Sequence, residues 1–392
     1  MIKHSTPAAR VVDVAVVGVG TIGSMALWAL STARRRSAST LRVLGIEQYG
    51  TVHTHGAFTG ESRLFRVAAK EGRHLTPALL EARTRWLELG RLAARDLLIP
   101  AGAIHIAPSG HPDLHAALSA AEEFDLPHRH FDADDLRRQY PQFAVDHGDE
   151  GFLDELAGVV RPESAVFAAS RQAQADGAEV LYNTVVTSLS PTGTGVRIET
   201  SAGAVEAGHV IVTAGPWTAR LVPGLSRMLT VANFALAWFM PADISAFLPA
   251  RLPGFMRDFG DMHAFGAPSI DGFSVKVSPH LHLPTVANPA RRPMTLSREQ
   301  LRWLGTQAQR IFPSLDPEPV RWSVHPDSQS PDSRPIIDTI GEGRISIAAG
   351  MSGNGFKFAP VWGQALADLA LTGASPWQDA EFTLAHHADP VG

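Results

Sequence analysis

The chain has 392 residues, a formal net charge of −5, 45% hydrophobic residues and no cysteine. Disulfides, thiolate metal sites and cysteine nucleophiles are thereby excluded, and the mild acidity gives no reason to expect a nucleic acid or an anionic membrane as partner. The length accommodates two intimately joined domains, no uninterrupted apolar run is long enough to span a bilayer, and the polar opening MIKHSTPAAR lacks the pattern of a secretory leader, so a cytoplasmic protein is expected.

Residues 12–17, VDVAVV, read as a strand buried on both faces, and Gly18, Gly20 and Gly23 supply a G-x-G-x-x-G turn into a helix. Gly18 allows the sharp turn, Gly20 lets the backbone approach a pyrophosphate, and Gly23 lets the helix lie close to the strand. The helix start offers unpaired N–H groups and a positive dipole end to phosphates. A second strand, LRVLGIE at 41–47, ends in Glu47, an acid placed for a free ribose hydroxyl as in FAD or NAD. Its spacing from Gly23 is longer than usual, and the surplus, STARRRSAST at 31–40, is expected to be a lengthened surface loop.

Residues 75–98 are expected to form a core helix, with Thr76 before Pro77 and apolar positions at Leu79, Ala82, Trp86, Leu89, Ala93 and Leu97. HVIVTAGPWTARLV at 209–222 is another apolar strand ending in small residues, and 225–285 alternates in short aromatic-rich runs, as strands do. Ser297 and Gln300 make a capping box before Leu301, Leu304, Ala308 and Ile311. The segment 344–371, RISIAAGMSGNGFKFAPVWGQALADLAL, repeats the strand, glycine turn and helix arrangement with Gly350, Gly353 and Gly355. These separated units predict a nucleotide domain assembled from 1–85, 156–222 and 323–392, interleaved with a substrate domain from 86–155 and 223–322.

Among 34 basic residues only Lys3, Lys70, Lys276 and Lys357 are lysine. A chain that writes arginine almost everywhere keeps lysine where a compact charge with a movable pKa serves better than a planar fork.

The motifs VVGVGTIGS, HTHGAFTGESRLFRVAAKEGR at 53–73, FSVKVSPH at 273–280 and GMSGNGFKF at 350–358 resemble those of the monomeric sarcosine oxidase and N-methyltryptophan oxidase family of FAD-dependent amine oxidases, which are also glycine oxidase-like. The resemblance runs from about residue 12 to about residue 380. It implies an α/β fold in which a glutathione-reductase-type FAD-binding Rossmann domain is interleaved with an antiparallel or mixed-sheet substrate domain. It implies cofactor contacts from Gly18, Gly20, Thr21, Ile22, Gly23, Glu47, Gln48, Ser62 and Arg63. Further contacts are implied from Val186 in AEVLYNTVVTSL (178–189, the strand bordering the adenine), and from Ala214, Gly215, Trp217, Gly350, Met351, Gly353, Gly355, Phe356 and Lys357. Arg66 and Lys357 match the pair that holds the substrate carboxylate, Lys276 the lysine that activates dioxygen, and His280 a substrate-side histidine.

Several positions depart from the family pattern. The flavin-linking cysteine falls on His325, so a thioether is impossible and noncovalent FAD is expected. Two active-site tyrosines fall on Phe265 and Asp327, and a histidine near the flavin falls on Thr59, which argues against sarcosine itself as substrate. The expected partners are a small secondary amino acid and dioxygen, in a monomer or weak oligomer. The competing readings are an NAD-linked amino-acid dehydrogenase, a flavin dehydrogenase serving an electron carrier, and a catalytically idle binding protein. No metal is expected, because the alternating pairs His53/His55, His128/His130 and His280/His282 lack a carboxylate–histidine helix spacing.

Overall fold

A computed structural model describes residues 9–388, so Lys3 lies outside the described residues. The first strand, Arg10–Val17, is flanked in parallel by Val43–Ile46 on one side and Gly203–Val212 on the other, and Ile345–Ala349 runs parallel to the end of the latter. Antiparallel strands Val186–Pro191, Val196–Thr200 and Ile336–Ile340 complete this sheet together with the parallel edge strand Glu179–Leu181. The central strands are apolar almost throughout because helices cover the face above them. Thr21–Ser37 packs between Pro162–Ala175 and Gly355–Thr372, burying Met25, Leu27, Trp28 and Leu30. Gly18 takes φ +87°, and a Cβ at Gly23 would overlap the Gly18 carbonyl, so the two glycines respectively permit the turn and the close helix.

The second sheet runs in the order 321–329, 230–239, 275–279, 263–267, 254–258, 103–108, 149–154 and 128–131. It is mixed: Gly254–Asp258 pairs in parallel with Ala103–Pro108, and the other neighbours are antiparallel. Arg298–Ile311 packs on it behind the expected Ser297/Gln300 capping box, and Phe247, Phe255 and Phe312 fill its core. A small sheet of Arg63–Phe65, Gly158–Val160 and Leu98–Ile99 joins the two halves.

Four expectations are corrected. Residues 31–37 are not loop: the first helix runs to Ser37, where Ala38 caps it in the left-handed conformation. Arg34 Nη1 donates to the Asp176 carbonyl at 2.7 Å and Arg35 pairs with the Asp176 carboxylate at 3.1 Å, while the basic last turn also suits the helix dipole. The helix expected over 75–98 spans Thr76–Ala93 and ends where Ala94 turns left-handed. The segment 178–189 is not one strand: Glu179–Leu181 and Val186–Pro191 lie at opposite edges of the first sheet, and residues 182–185 cross over its end. Finally, the proposed domain limits cut elements. The 85/86 limit falls inside Thr76–Ala93, and the 322/323 limit falls inside Arg321–Gln329, which pairs along its whole length with Thr230–Phe239 of the second sheet.

Candidate active site

The carboxyl ends of Arg10–Val17, Val43–Ile46, Gly203–Val212 and Ile345–Ala349 open onto one cavity of about 830 Å³, the side of an open α/β sheet where ligands bind. Two helix N-termini meet there. Thr21–Ser37 begins at Gly20 and Gly355–Thr372 begins at Asn354, and neither has a side-chain cap, so their first-turn N–H groups remain available to a ligand. A Cβ at Gly20 would meet nothing closer than the Phe58 ring at 3.8 Å, which leaves the cavity side of that turn open for close approach. Glu47 is buried at the mouth, where Oε2 accepts the Val19 N–H at 2.8 Å and Oε1 the Tyr49 N–H at 2.9 Å. Burial opposes its charge, but the neighbouring His53 and these backbone donors outweigh it and lower its pKa, so it faces the cavity as an anion. The crossing segment contributes Thr184 and Val185 to the wall. An extended nucleotide cofactor fits this set: two uncapped helix ends for phosphates and polar ring atoms, and an ionised acid for ribose hydroxyls.

The cavity continues to the second sheet, where Phe234, Met256, His263, Phe265 and His280 line it. Arg66 and Lys357 line it as well. The Asp154 carboxylate accepts the N–H groups of Val67 and Ala68 at 2.6 and 2.9 Å and so fixes the chain just beyond Arg66. Arg66 Nη2 and Lys357 Nζ both donate to Glu71 Oε1, at 2.6 and 2.9 Å, and Lys357 also reaches Asn354 Oδ1 at 2.9 Å. Burial opposes the Glu71 charge, but the two cations prevail and hold the carboxyl well below the usual range; burial lowers Lys357 to about 8. Glu71 lies within the 53–73 motif, and its one sequence signal is an acid between Lys70 and Gly72 in a basic stretch. Lys70 also lines the cavity and is paired with Asp113.

Lys276 lies behind the cavity wall rather than in it. Its Nζ donates to the carbonyls of Gly60 and Ser62 at 3.2 and 2.6 Å, near the rings of Trp238 and Phe265, and burial pushes its pKa well down. The same loop is held by Arg63, whose guanidinium donates to the carbonyls of Ala57, Thr59 and Ser62, and by Glu163 Oε1, which accepts the Gly60 N–H at 2.6 Å. His325 is buried off the cavity, with Nε2 2.8 Å from Ser323 Oγ and Nδ1 3.3 Å from Thr59 Oγ1; burial drives its pKa to about 3, leaving a neutral ring. Asp327 lines the cavity, and burial raises its carboxyl to about 6 against the pull of the Gly353 and Ser328 N–H groups.

Of the residues singled out in the sequence, the structure gathers around this one cavity Gly18, Gly20, Thr21, Ile22, Glu47, Gln48, Arg63, Arg66, Val186, Ala214, Gly215, Trp217, Phe265, His280 and Asp327, with Gly350, Met351, Gly353, Gly355, Phe356 and Lys357. Gly23, Thr59, Ser62 and Lys276 do not line it.

A nucleotide-type sheet and a mixed sheet that share one cavity, with the paired cations Arg66 and Lys357 among its lining residues, define a flavoprotein oxidoreductase architecture, and the chain's relatives agree. Residues 13–369 match the FAD dependent oxidoreductase family, and the chain belongs to it. It is 31% identical over 372 residues to the monomeric sarcosine oxidase of Streptomyces avermitilis, covering 93% of this chain and 94% of that one. It is 29% identical over 372 residues to the N-methyl-L-tryptophan oxidase of Citrobacter koseri, covering 93% of this chain and 95% of that one. The solved structure of NikD, described as an unusual amino acid oxidase essential for nikkomycin biosynthesis, shares the fold with a TM-score of 0.83 at 22% identity, over 96% of this chain and 98% of that one. The protein is an FAD-dependent amino-acid or amine oxidase of the sarcosine oxidase family, acting on CH–NH bonds. No helix among the described residues is long and apolar enough to cross a membrane.

Proposed function

We propose that the substrate is a secondary amino acid, an N-substituted glycine whose substituent is larger than methyl. It is oxidised beside nitrogen to an imine, with dioxygen reduced to hydrogen peroxide. The observation that carries this reading is the pairing of Arg66 and Lys357 on one cavity wall with Phe265 and Asp327 on the others. The two cations are only half neutralised by Glu71, so the anchor keeps a single net positive charge, matched to one carboxylate. Phe265 contributes an apolar face and Asp327 a carboxylate that is charged above about pH 6, a pairing suited to a bulky substituent on a cationic nitrogen.

When bound, FAD supplies the acceptor for the hydride equivalent released from the carbon next to nitrogen. The protein holds the carboxylate end so that this carbon is oriented, and Arg66, Lys357 and Lys70 make that end of the cavity electropositive. Lys276 is assigned to the oxygen half-reaction, through its Nζ held beneath the Gly60–Ser62 segment. Hydrolysis of the imine gives glyoxylate and an amine if the glycyl carbon is attacked, or glycine and an aldehyde if the substituent is. The cofactor is held without a covalent bond, since the chain has no cysteine and both ring nitrogens of His325 are engaged away from the cavity.

The test is peroxide release from a panel of N-alkyl and N-carboxymethyl amino acids that includes sarcosine. Faster turnover of at least one bulkier N-substituted glycine supports the reading. Sarcosine outpacing every one of them overturns it.

A further inference from the structure

The second-sheet wall carries a device that the reading above leaves unused. His263 and Phe265 stand two residues apart on the strand His263–Ala267, so their side chains leave the same face of the sheet, and both line the cavity. His263 Nδ1 lies 2.7 Å from Asp258 Oδ1, and the other oxygen, Oδ2, lies 2.6 Å from His105 Nε2. Asp258 pairs directly with His263 across the hairpin, and His105 comes from the next strand, Ala103–Pro108. The three groups step inward from a partly exposed imidazole to a buried carboxylate and then to a histidine only 2% exposed.

The proton positions follow from the partners. Burial opposes charge on Asp258, but the hydrogen bonds from His105 and His263 prevail and hold its carboxyl well below the usual range, so it only accepts. Nδ1 of His263 and Nε2 of His105 therefore carry the hydrogens. Burial drives His105 down to about 4, so it stays neutral and leaves the Asp258 charge for His263; its own Nδ1 has no partner among the described residues. His263 Nε2, with its lone pair, makes no hydrogen bond among the described residues. A free ring nitrogen at a cavity, with the far nitrogen held by a buried carboxylate, is the arrangement by which an imidazole is oriented and strengthened as a base.

The surrounding titratable groups are few. His280 and His282 interact with one another and with His263 from the adjoining strand end, and the charges of Lys70 and Arg66 reach His105. Arg257 turns away to Asp149. His111 brings a third possible ligand atom within 4.8 Å of those of His105 and Asp258, but its Nδ1 already accepts the Asp113 N–H at 3.3 Å and both Asp258 oxygens are taken, which favours a proton device over a cation site.

We propose that His263 is the general base that deprotonates the substrate's ammonium, with Asp258 and His105 as positioning residues. The substrate N–H bond breaks and a bond from that hydrogen to His263 Nε2 forms. Nitrogen keeps the electron pair, which becomes the C=N bond as the adjacent carbon gives up its hydride equivalent to the cofactor, leaving a protonated imine. The imidazolium charge is balanced by Asp258. The inference rests on the family chemistry at CH–NH bonds and is independent of the size of the N-substituent.

Two measurements test it. In the first, the holoenzyme is mixed without air with a panel of sarcosine, N-ethylglycine, N-benzylglycine, proline and glycine, and flavin bleaching by the fastest of these is followed from about pH 6 to about pH 10. At saturating substrate His263→Gln should bleach about 10²-fold or more slowly than the wild type across this range. Asp258→Asn should also slow bleaching, by reversing the tautomer. Bleaching of His263→Gln at the wild-type rate overturns the assignment. If only proline or glycine bleaches the flavin, the N-substituted glycine reading falls while the base is still tested with that amine. The second measurement needs neither substrate nor variant activity: ¹⁵N spectra of histidine-labelled holoenzyme, with the His263 signals assigned by their loss in His263→Gln or His263→Asn, should show hydrogen on Nδ1 and a bare Nε2. Hydrogen on Nε2 overturns the proposal.

Discussion

Lys357 Nζ donates at 2.9 Å to Glu71 Oε1, the same oxygen that takes the Arg66 guanidinium at 2.6 Å. The chain thus stores its two anchoring cations on one internal carboxylate. Without Glu71, two buried like charges would face each other; with it, they are held in place and keep one unit of positive charge for an incoming anion. Glu71 Oε2 has no hydrogen-bond partner among the described residues.

A pH dependence of carboxylate binding follows. Burial brings Lys357 down to about 8, so its charge is present below that pH and lost above it, whereas a substrate carboxylate is ionised throughout. Binding of an amine-free carboxylate such as ethoxyacetate should therefore weaken as pH rises past about 8, approaching tenfold per unit until the higher pKa of the bound state is reached. Lys357→Met should bind weakly with no such dependence, and Arg66→Ala should lose about 2–5 kcal/mol of affinity. Calorimetric titrations that show constant affinity across this range, or unaltered affinity in Arg66→Ala, would remove the anchor.

The flavin should leave with acid or heat. His325, matched by resemblance to the family's linking cysteine, faces Ser323 and Thr59 with its two nitrogens, and burial lowers its pKa to about 3. Precipitating the protein should put the yellow colour in the supernatant. Colour retained by the washed pellet contradicts a noncovalent cofactor.

Lys276→Met should separate the two half-reactions. Anaerobic bleaching by substrate should persist, while reoxidation by air slows about 10²-fold or more, the scale of losing one preorganised electrostatic group. The substitution also strips a donor from the buried carbonyls of Gly60 and Ser62, so a stability loss of about 1–3 kcal/mol is expected in thermal unfolding. Stopped-flow reoxidation at the wild-type rate rules out the oxygen role.

The sequence by itself determined what is local. The strand, glycine turn and helix start of residues 12–30, the matching unit at 344–371 and the Ser297/Gln300 cap are legible because each is enforced by neighbours a few residues apart: a glycine that must turn, a helix end that must be capped, an apolar run that must be buried. Lys276 and Lys357 stand out as uncommon lysines, and Arg66 stands out only through the motif resemblance. Tertiary structure decided everything that depends on a distant partner. Residues 31–37 stay helical with Arg34 bound to Asp176, 142 positions away. The segment 178–189 breaks because its two ends pair at opposite edges of one sheet. Glu71 gains its role from Lys357, 286 positions away, and His263 gains its orientation from a carboxylate held by His105, 153 positions before Asp258. Burial then fixes the charge states, because desolvation depends on the packed surroundings of a side chain and has no signature in the residues beside it.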